Sequence, residues 1–383
     1  MHFTDFDVDL FLRDYWQKKP LLIRNPWAAW INPLEPDELA GLACEDGVES
    51  RLVGQGDGRW MVEHGPLPED RFGAMGRSPW TLLVQAVDMH APEVAALVAP
   101  FRFIPNWRID DVMVSYATDG GGVGAHYDQY DVFLVQGLGR RRWQVGGRCD
   151  ADTPLMLHED LRLLADFQPE AEWVLEPGDI LYVPPGVAHN GVAVGDDCMT
   201  YSVGFRAPSR SELVEQFCAH IVGGMEDDDR YADPDLTIQD NPGEIGAAAL
   251  TRLQAMVGDA LNDRTAFARW FGAYTSERKY PELDFRPDEP IAVEDVQALV
   301  EQRVVLYRNP ASRFAFVAAG EGAVTLFVDG ESYDCSGDVA VLAKQICAAE
   351  SIVIDPALAG TDAAMALVAT LYNEGSVSFL SED

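Results

Sequence analysis

His126 and Asp128 stand two positions apart in the segment GGGVGAHYDQYDVFLVQGLGRRRW. In an extended chain, side chains at i and i+2 point to the same face. An imidazole nitrogen and a carboxylate oxygen can then reach one metal ion. Gly120, Gly121, Gly122 and Gly124 come just before, and residues without a Cβ let a ligand approach the backbone closely. An H-x-D pair alone is common. A second segment, EPGDILYVPPGVAHNG, gives it weight. There a Pro-Gly turn starts DILYV, and a Pro-Pro-Gly turn delivers His189. His126, Asp128 and His189 make two histidines and one carboxylate. That set covers one face of an octahedral iron(II) and leaves three positions for a chelating cosubstrate and dioxygen. His2, His64, His90, His158 and His220 lack a ligand-like neighbour at useful spacing, so surface or satisfied-core positions are expected for them.

Further polar residues lie on neighbouring runs. In RRRWQV, alternation puts Arg141 on the face opposite Arg140 and Arg142. A guanidinium is planar and can donate two parallel hydrogen bonds to a carboxylate. Ser115 on the preceding run is a hydroxyl candidate for the same ligand, as are Thr200 and Ser202, which share one face of the run after His189. Asp110 and Asp111 begin the run that carries Ser115. Asp111 shares the Ser115 face and Asp110 sits nearer the rim, so either could meet a cationic substrate group.

The elements that must position these residues are short. DVMVSYA, DVFLVQG, RRWQVGG, EWVLEPGDILYVP and CMTYSVGF are β-rich and broken by glycine or proline from Asp110 to about Arg206, the pattern of an all-β barrel or sandwich. Before them, helices are predicted at Val8 to Gln17, Asp37 to Ala43, Trp80 to Met89 and Glu93 to Leu97, with KPLLIRNP extended. After Pro208 the spacing turns helical in SELVEQFCAHIVGGM, EIGAAALTRLQAMVGDAL and RTAFARWFGAYTSE. Past YPELDFRPDEP, a helix at Val293 to Gln302 precedes strand-like VVLYR, RFAFVA and AVTLFVDG. Helical DVAVLAKQICAAE and DAAMALVATLYNEG and a final SVSFL follow. This mixture is similar to a winged helix.

Composition bounds the partners. The 383 residues carry 63 acidic and 28 basic side chains, a formal net charge of -35. So acidic a surface repels phosphate backbones and anionic lipid and attracts basic proteins. Direct nucleic-acid binding is not expected. The acidity also suits solubility at high salt. No stretch is long and apolar enough to span a membrane, and the start has no signal-peptide pattern. Cys44, Cys149, Cys198, Cys218, Cys335 and Cys347 form no C-x-x-C pair, so free thiols in a reducing cytoplasm are expected.

The two metal-ligand segments resemble the two motifs of cupins and JmjC-type oxygenases. Gly120-x5-His126-x-Asp128 matches the first motif, and Gly178-x5-Pro184-x-Gly186-x2-His189 the second. The glutamate that many cupins place after the first pair is missing, with Val132 and Phe133 in its stead. That departure favours three-ligand iron oxygenases. A wider set of segments, including DYWQKKPLLIRN, WTLLVQAVD, WRIDDVMVS, DQYDVFLVQGLGRRRWQVG, EPGDILYVPPGVAH and YSVGFRAPSRSEL, resembles the bacterial ribosomal oxygenases over roughly residues 10–215.

The resemblance implies an α+β protein in three regions. These are a double-stranded β-helix oxygenase domain at 1–208, a helical dimerisation region at 209–282 and a winged-helix-like domain at 283–383. It also implies iron(II) held by His126, Asp128 and His189, 2-oxoglutarate anchored by Arg141, and dioxygen as second cosubstrate. The implied activity is 3-hydroxylation of an arginine on a basic large-subunit ribosomal protein, by a cytoplasmic homodimer. A JmjC oxygenase acting on histidine or lysine of another basic protein fits the same site residues. So does a metal-binding cupin that serves as a non-catalytic scaffold.

Overall fold

Eleven short strands build the first part of the chain in a computed structural model that describes residues 1–56, 59–76, 78–226 and 228–379. They are β1 (Leu21–Ile23), β2 (Ser50–Gly56), β3 (Arg59–His64), β4 (Trp80–Val84), β5 (Ile109–Ala117), β6 (Asp131–Leu138), β7 (Arg141–Arg148), β8 (Pro169–Leu175), β9 (Ile180–Val183), β10 (Val187–Ala193) and β11 (Cys198–Phe205). Eight form one antiparallel sheet in the order β1-β9-β6-β11-β5-β4-β2-β3, and three form a smaller sheet in the order β10-β7-β8. From β8 to β11 successive strands alternate between the two sheets, the wind of a double-stranded β-helix. Two units result, Met1–Ala207 and Pro208–Asp383.

Central strands are buried on both faces. β6 and β11 are buried along nearly their whole length. On β6, Phe133 and Val135 join a core with Phe11, Leu39, Phe101, Tyr182 and Phe205 on the outer face of the large sheet. Val132 and Leu134 point the other way, into a core with Trp143, Val145, Leu175 and Leu181 between the sheets. Aromatic rings dominate the outer core, with Phe101 and Phe133 4.6 Å apart and Phe11 edge-on to Tyr182 at 4.9 Å. Each such pair adds about 0.5–1.5 kcal/mol beyond its area.

The amino-terminal helix at Val8–Asp14 is capped by the Asp7 side chain, which accepts the N–H of Leu10. The helix packs on the barrel through Phe11, and Gln17, just after it, is tied there by one buried acid. Asp131 is fully buried, and its carboxylate accepts hydrogen bonds from Tyr182 Oη at 2.6 Å, Gln17 Nε2 at 2.9 Å and Arg108 Nη2 at 2.9 Å.

One predicted helix is corrected. Trp80 to Met89 is not helical: Trp80–Val84 is strand β4, and Val87–Met89 is a single 3-10 turn after Ala86, whose φ is +49°. The reason is burial. β4 pairs with β2 and β5 on either side and is buried from Thr81 to Val84 without alternation, and a short, buried run shows no period that separates strand from helix. Boundaries shifted elsewhere. The first helix stops at Asp14, and Pro92–Ala95 passes into a 3-10 turn at Ala96–Phe101. The hairpin of β2 and β3 was not read from sequence at all.

In the second unit, Ser209 and Glu212 form a capping box that starts the helix Arg210–Gly223. Helices Ala247–Leu261 and Arg264–Ser276 follow. Further on, helices Val293–Glu301, Asp338–Ala348 and Asp362–Asn373 pack with two three-stranded sheets around Val296, Leu326, Leu342, Ile346 and Leu371. Gly272 lies so close to Phe327 that a Cβ would come within 2.3 Å of its ring, which places helix Arg264–Ser276 on the face of strand Ala323–Val328 opposite Leu326. Among the described residues, no helix is long and apolar enough to cross a membrane.

Removing Asp131 would leave Arg108 buried without its partner, since that side chain is only 13% exposed. Asp131→Ala is expected to destabilise the first unit by about 3–5 kcal/mol, read from the urea midpoint of tryptophan fluorescence. A change below about 1 kcal/mol would show that the network contributes little.

Candidate metal centre and cosubstrate chamber

The backbones of His126 and His189 pair as an isolated antiparallel bridge. His126 N donates to His189 O at 3.0 Å, and His189 N donates to His126 O at 2.8 Å. His189 lies on β10, where the register slips between Val187 and His189. Asp128 is fixed by the turn ahead of β10: Gly186, at φ +74°, donates its N–H to Asp128 O at 2.7 Å. The three side chains thereby converge. Asp128 Oδ2 lies 3.9 Å from His126 Nε2 and 3.5 Å from His189 Nε2, and one donor atom from each residue falls within 4.8 Å of the others.

The ring orientation suits a metal. His126 Nδ1 contacts Gly124 O at 2.9 Å and His189 Nδ1 contacts Val187 O at 3.0 Å. A carbonyl accepts only from N–H, so each Nδ1 carries the proton and each Nε2 keeps its lone pair for a ligand. Burial, with His126 close by, pushes the pKa of His189 down to about 4, so its imidazole is neutral near pH 7. His189 is 2% exposed, while His126 and Asp128 are about a quarter exposed. The cluster is closed on the barrel side and open on the other.

The open side faces a chamber of about 300 Å³ whose walls include all three residues together with Ser115, Arg141, Thr200 and Ser202. Arg141 is buried, whereas Arg140 and Arg142 are exposed. Its guanidinium carbon sits 5.8 Å from the Trp143 ring centre, and its Nε and Nη2 have no hydrogen-bond partner among the described residues. A buried unpaired cation is costly. A carboxylate entering the chamber would remove that cost. The donor set and the orphaned guanidinium therefore fit a divalent metal and a dicarboxylate together.

Other predicted residues fare differently. Ser115 Oγ makes only a long contact of 3.5 Å to Thr200 O, and Thr200 Oγ1 reaches Gln136 Oε1 at 3.4 Å. Asp111 is buried, and its carboxylate accepts the N–H of Ala86 at 2.9 Å, so it holds up the turn after β4. Asp110 and Asp111 are still felt in the chamber. Tyr130 lines it, and desolvation followed by the charges of Asp128, Asp111 and Asp110 pushes its hydroxyl pKa upward.

Sequence reading missed two chamber residues. Thr81 Oγ1 and Trp143 Nε1 are buried there without partners. Thr81 was hidden by the misread helix. Trp143 carried a signal, because it shares the Arg141 face by alternation. Gly191 is a third omission: a Cβ there would lie 2.6 Å from the Trp143 ring.

A histidine–aspartate–histidine cluster at one end of a double-stranded β-helix, with a buried arginine facing the same chamber, defines a JmjC-type oxygenase. Residues 96–213 match the JmjC domain model, and residues 259–378 match a ROXA-like winged helix model. The chain is 42% identical to the ribosomal protein uL16 3-hydroxylase of Escherichia coli K12, over 78% of this chain and 79% of that one. It is 38% identical to a probable ribosomal oxygenase of Haemophilus influenzae, over 77% and 74%. The structure of the E. coli ribosomal oxygenase YcfD in complex with cobalt and 2-oxoglutarate superposes with a TM-score of 0.88 at 35% identity, covering 99% of both chains. The protein belongs to the ribosomal oxygenase family. The winged-helix match begins at 259 and so takes in helix Arg264–Ser276, in keeping with the packing of Gly272 on Phe327.

Two variants separate the roles of the chamber's parts. His189→Ala is expected to abolish cobalt(II) binding in calorimetry. Arg141→Met should retain cobalt binding and unfold later than the parent without ligand, by about 1–4 kcal/mol, because an unpaired buried charge is gone. It should also lose the thermal stabilisation that 2-oxoglutarate gives the parent. Full stabilisation of Arg141→Met by 2-oxoglutarate would remove this residue from the cosubstrate site.

Proposed function

We propose that the chain is an iron(II)- and 2-oxoglutarate-dependent hydroxylase that adds a 3-hydroxyl to an arginine of a basic large-subunit ribosomal protein, the counterpart of uL16. The observation that carries the chemistry is Arg141, buried without a partner in the chamber that His126, Asp128 and His189 close. The relationship to the uL16 3-hydroxylase carries the substrate class.

When bound, iron(II) would activate dioxygen, which is the oxidant, and 2-oxoglutarate would supply two electrons by its oxidative decarboxylation to succinate and carbon dioxide. The protein's own residues do the rest. His126 Nε2, Asp128 Oδ2 and His189 Nε2 are the ligands. Gly124 O and Val187 O hold the two rings in orientation. Arg141 pairs with the distal carboxylate of the cosubstrate and aligns its other end with the metal, with Ser115 and Thr200 as neighbouring hydroxyls. Val132, Leu134 and Leu163 give the chamber an apolar stretch of wall. For a guanidinium, Asp110 and Asp111 give the Tyr130 side of the chamber a negative potential, and Ser202 offers a hydroxyl. A cationic side chain suits that potential better than a neutral histidine. The net charge of -35 favours encounter with a basic protein over one with nucleic acid. Ribosomal substrate and free thiols agree with a cytoplasmic location.

The functional division keeps three regions, with 1–208 for catalysis, 209–282 for dimerisation and 283–383 as the winged-helix-like part, although helix Arg264–Ser276 of the middle region falls within the winged-helix match at 259–378. Helix Ala247–Leu261 has no buried residue, and Leu250, Leu253, Val257 and Leu261 line up at helical spacing while 41% to 61% exposed. A second copy of the chain is the proposed cover for that stripe. Leu253→Glu with Val257→Glu is expected to turn a dimer into a monomer in light scattering. A parent already monomeric at micromolar concentration would refute the dimer.

The activity test is mass spectrometry of the recombinant large-subunit protein after incubation with enzyme, iron(II), 2-oxoglutarate and air. One added oxygen on an arginine, lost in His126→Ala, is the expected result. Succinate formation without an oxygenated protein would reject the substrate and keep the chemistry. An added oxygen on histidine would redirect the assignment.

A further inference from the structure

A second cavity lies behind the glycine-rich strip that leads to His126. It holds about 250 Å³ and is lined by Gln55, Trp60, Pro79, Asn190, Val192 and the strip residues Gly120, Gly122, Gly124 and Ala125. The strip divides the two spaces: Val123 and His126 face the catalytic chamber, whereas Gly120, Gly122, Gly124 and Ala125 face the second cavity. Its backbone is under-used. Gly120 N bonds to Ala193 O and Gly121 N to Thr118 O, but among the described residues the N–H groups of Gly122, Val123 and Gly124 donate to nothing. Side chains cannot be added there. A Cβ on Gly122 would lie 2.5 Å from Gly191 O, and one on Gly124 would lie 2.9 Å from the Trp60 ring.

We propose that this cavity is a specificity subsite for an uncharged residue next to the hydroxylated one, with the protein substrate running extended along the strip. The inference rests on the protein-hydroxylase reading above and adds a sequence requirement to it. Three features support it. Unpaired N–H groups on a bare glycine edge can donate to the carbonyls of an added strand. In an extended chain successive side chains point to opposite sides, so neighbours can enter the two spaces that share this wall. Among the described residues the lining carries no charged side chain, in a protein of net charge -35, and the volume lies below the roughly 300–1,000 Å³ of small-molecule sites. It suits one apolar or amide side chain packed on Trp60, with Gln55 and Asn190 at hand for hydrogen bonds.

The test compares steady-state hydroxylation of the ribosomal protein by the parent, Trp60→Ala and Val192→Phe, which respectively remove a wall and fill the space. For both variants the KM for the protein substrate is expected to rise about tenfold or more, as for the loss of one side-chain-sized contact. The KM for 2-oxoglutarate should move by less than about twofold. Trp60 also packs against Val53, Leu83 and Leu163, so if Trp60→Ala does not fold, Val192→Phe decides alone. An unchanged protein KM in Val192→Phe overturns the subsite. A matching rise in the KM for 2-oxoglutarate also overturns it, by giving the cavity to the cosubstrate. A parent that turns over 2-oxoglutarate but adds no oxygen to the protein overturns the parent reading and this one together.

Discussion

The reciprocal backbone hydrogen bonds between His126 and His189 are the constraint on which the site depends. They join two segments distant in sequence, one leading into β6 and the other beginning β10. Each histidine then has its ring oriented by a carbonyl two residues earlier on its own chain, Gly124 O for one and Val187 O for the other. Asp128 is held by the N–H of Gly186, which belongs to the turn that delivers His189. The ligand set is thus assembled by main-chain bonds, which do not depend on rotamers, and the side chains need only extend from a fixed frame.

Around this frame the electrostatics invert. The chain is strongly acidic, yet the chamber wall gathers Arg51, Arg141 and Arg162 against Asp128 and Asp160. A divalent metal adds further positive charge when bound. A dianionic cosubstrate therefore meets attraction inside a protein whose outside would repel it, while a basic protein partner is drawn to the exterior. Arg141 is kept ready by burial against Trp143, with no acid among the described residues to neutralise it. The stability lost to that unpaired charge is the physical form that preorganisation takes here.

Much of the site was legible because its chemistry is local. The i, i+2 spacing of His126 and Asp128 specifies a shared face once the segment is extended. Arg141 followed from alternation, since Arg140 and Arg142 are exposed and it is not. The proline and glycine turns marked where strands begin, and those positions proved sound for β9 and β10. The helices after Pro208 were likewise visible, because amphipathic spacing and the Ser209–Glu212 capping box are written in neighbouring residues.

Contacts between distant segments were not legible. Thr81 reaches the chamber only because Trp80–Val84 is a strand held between β2 and β5; its own residues read equally well as a helix. Asp111 lies on the predicted face, but its carboxylate also holds the backbone of Ala86, a partner that no spacing rule names. The need for glycine at 191 comes from the Trp143 ring. The sequence by itself determined the donor types, the barrel's turns and the family, since these depend on residue identity over short spans. Only the tertiary structure decided which polar atoms are left without partners and what each face packs against, because burial is a property of the whole chain.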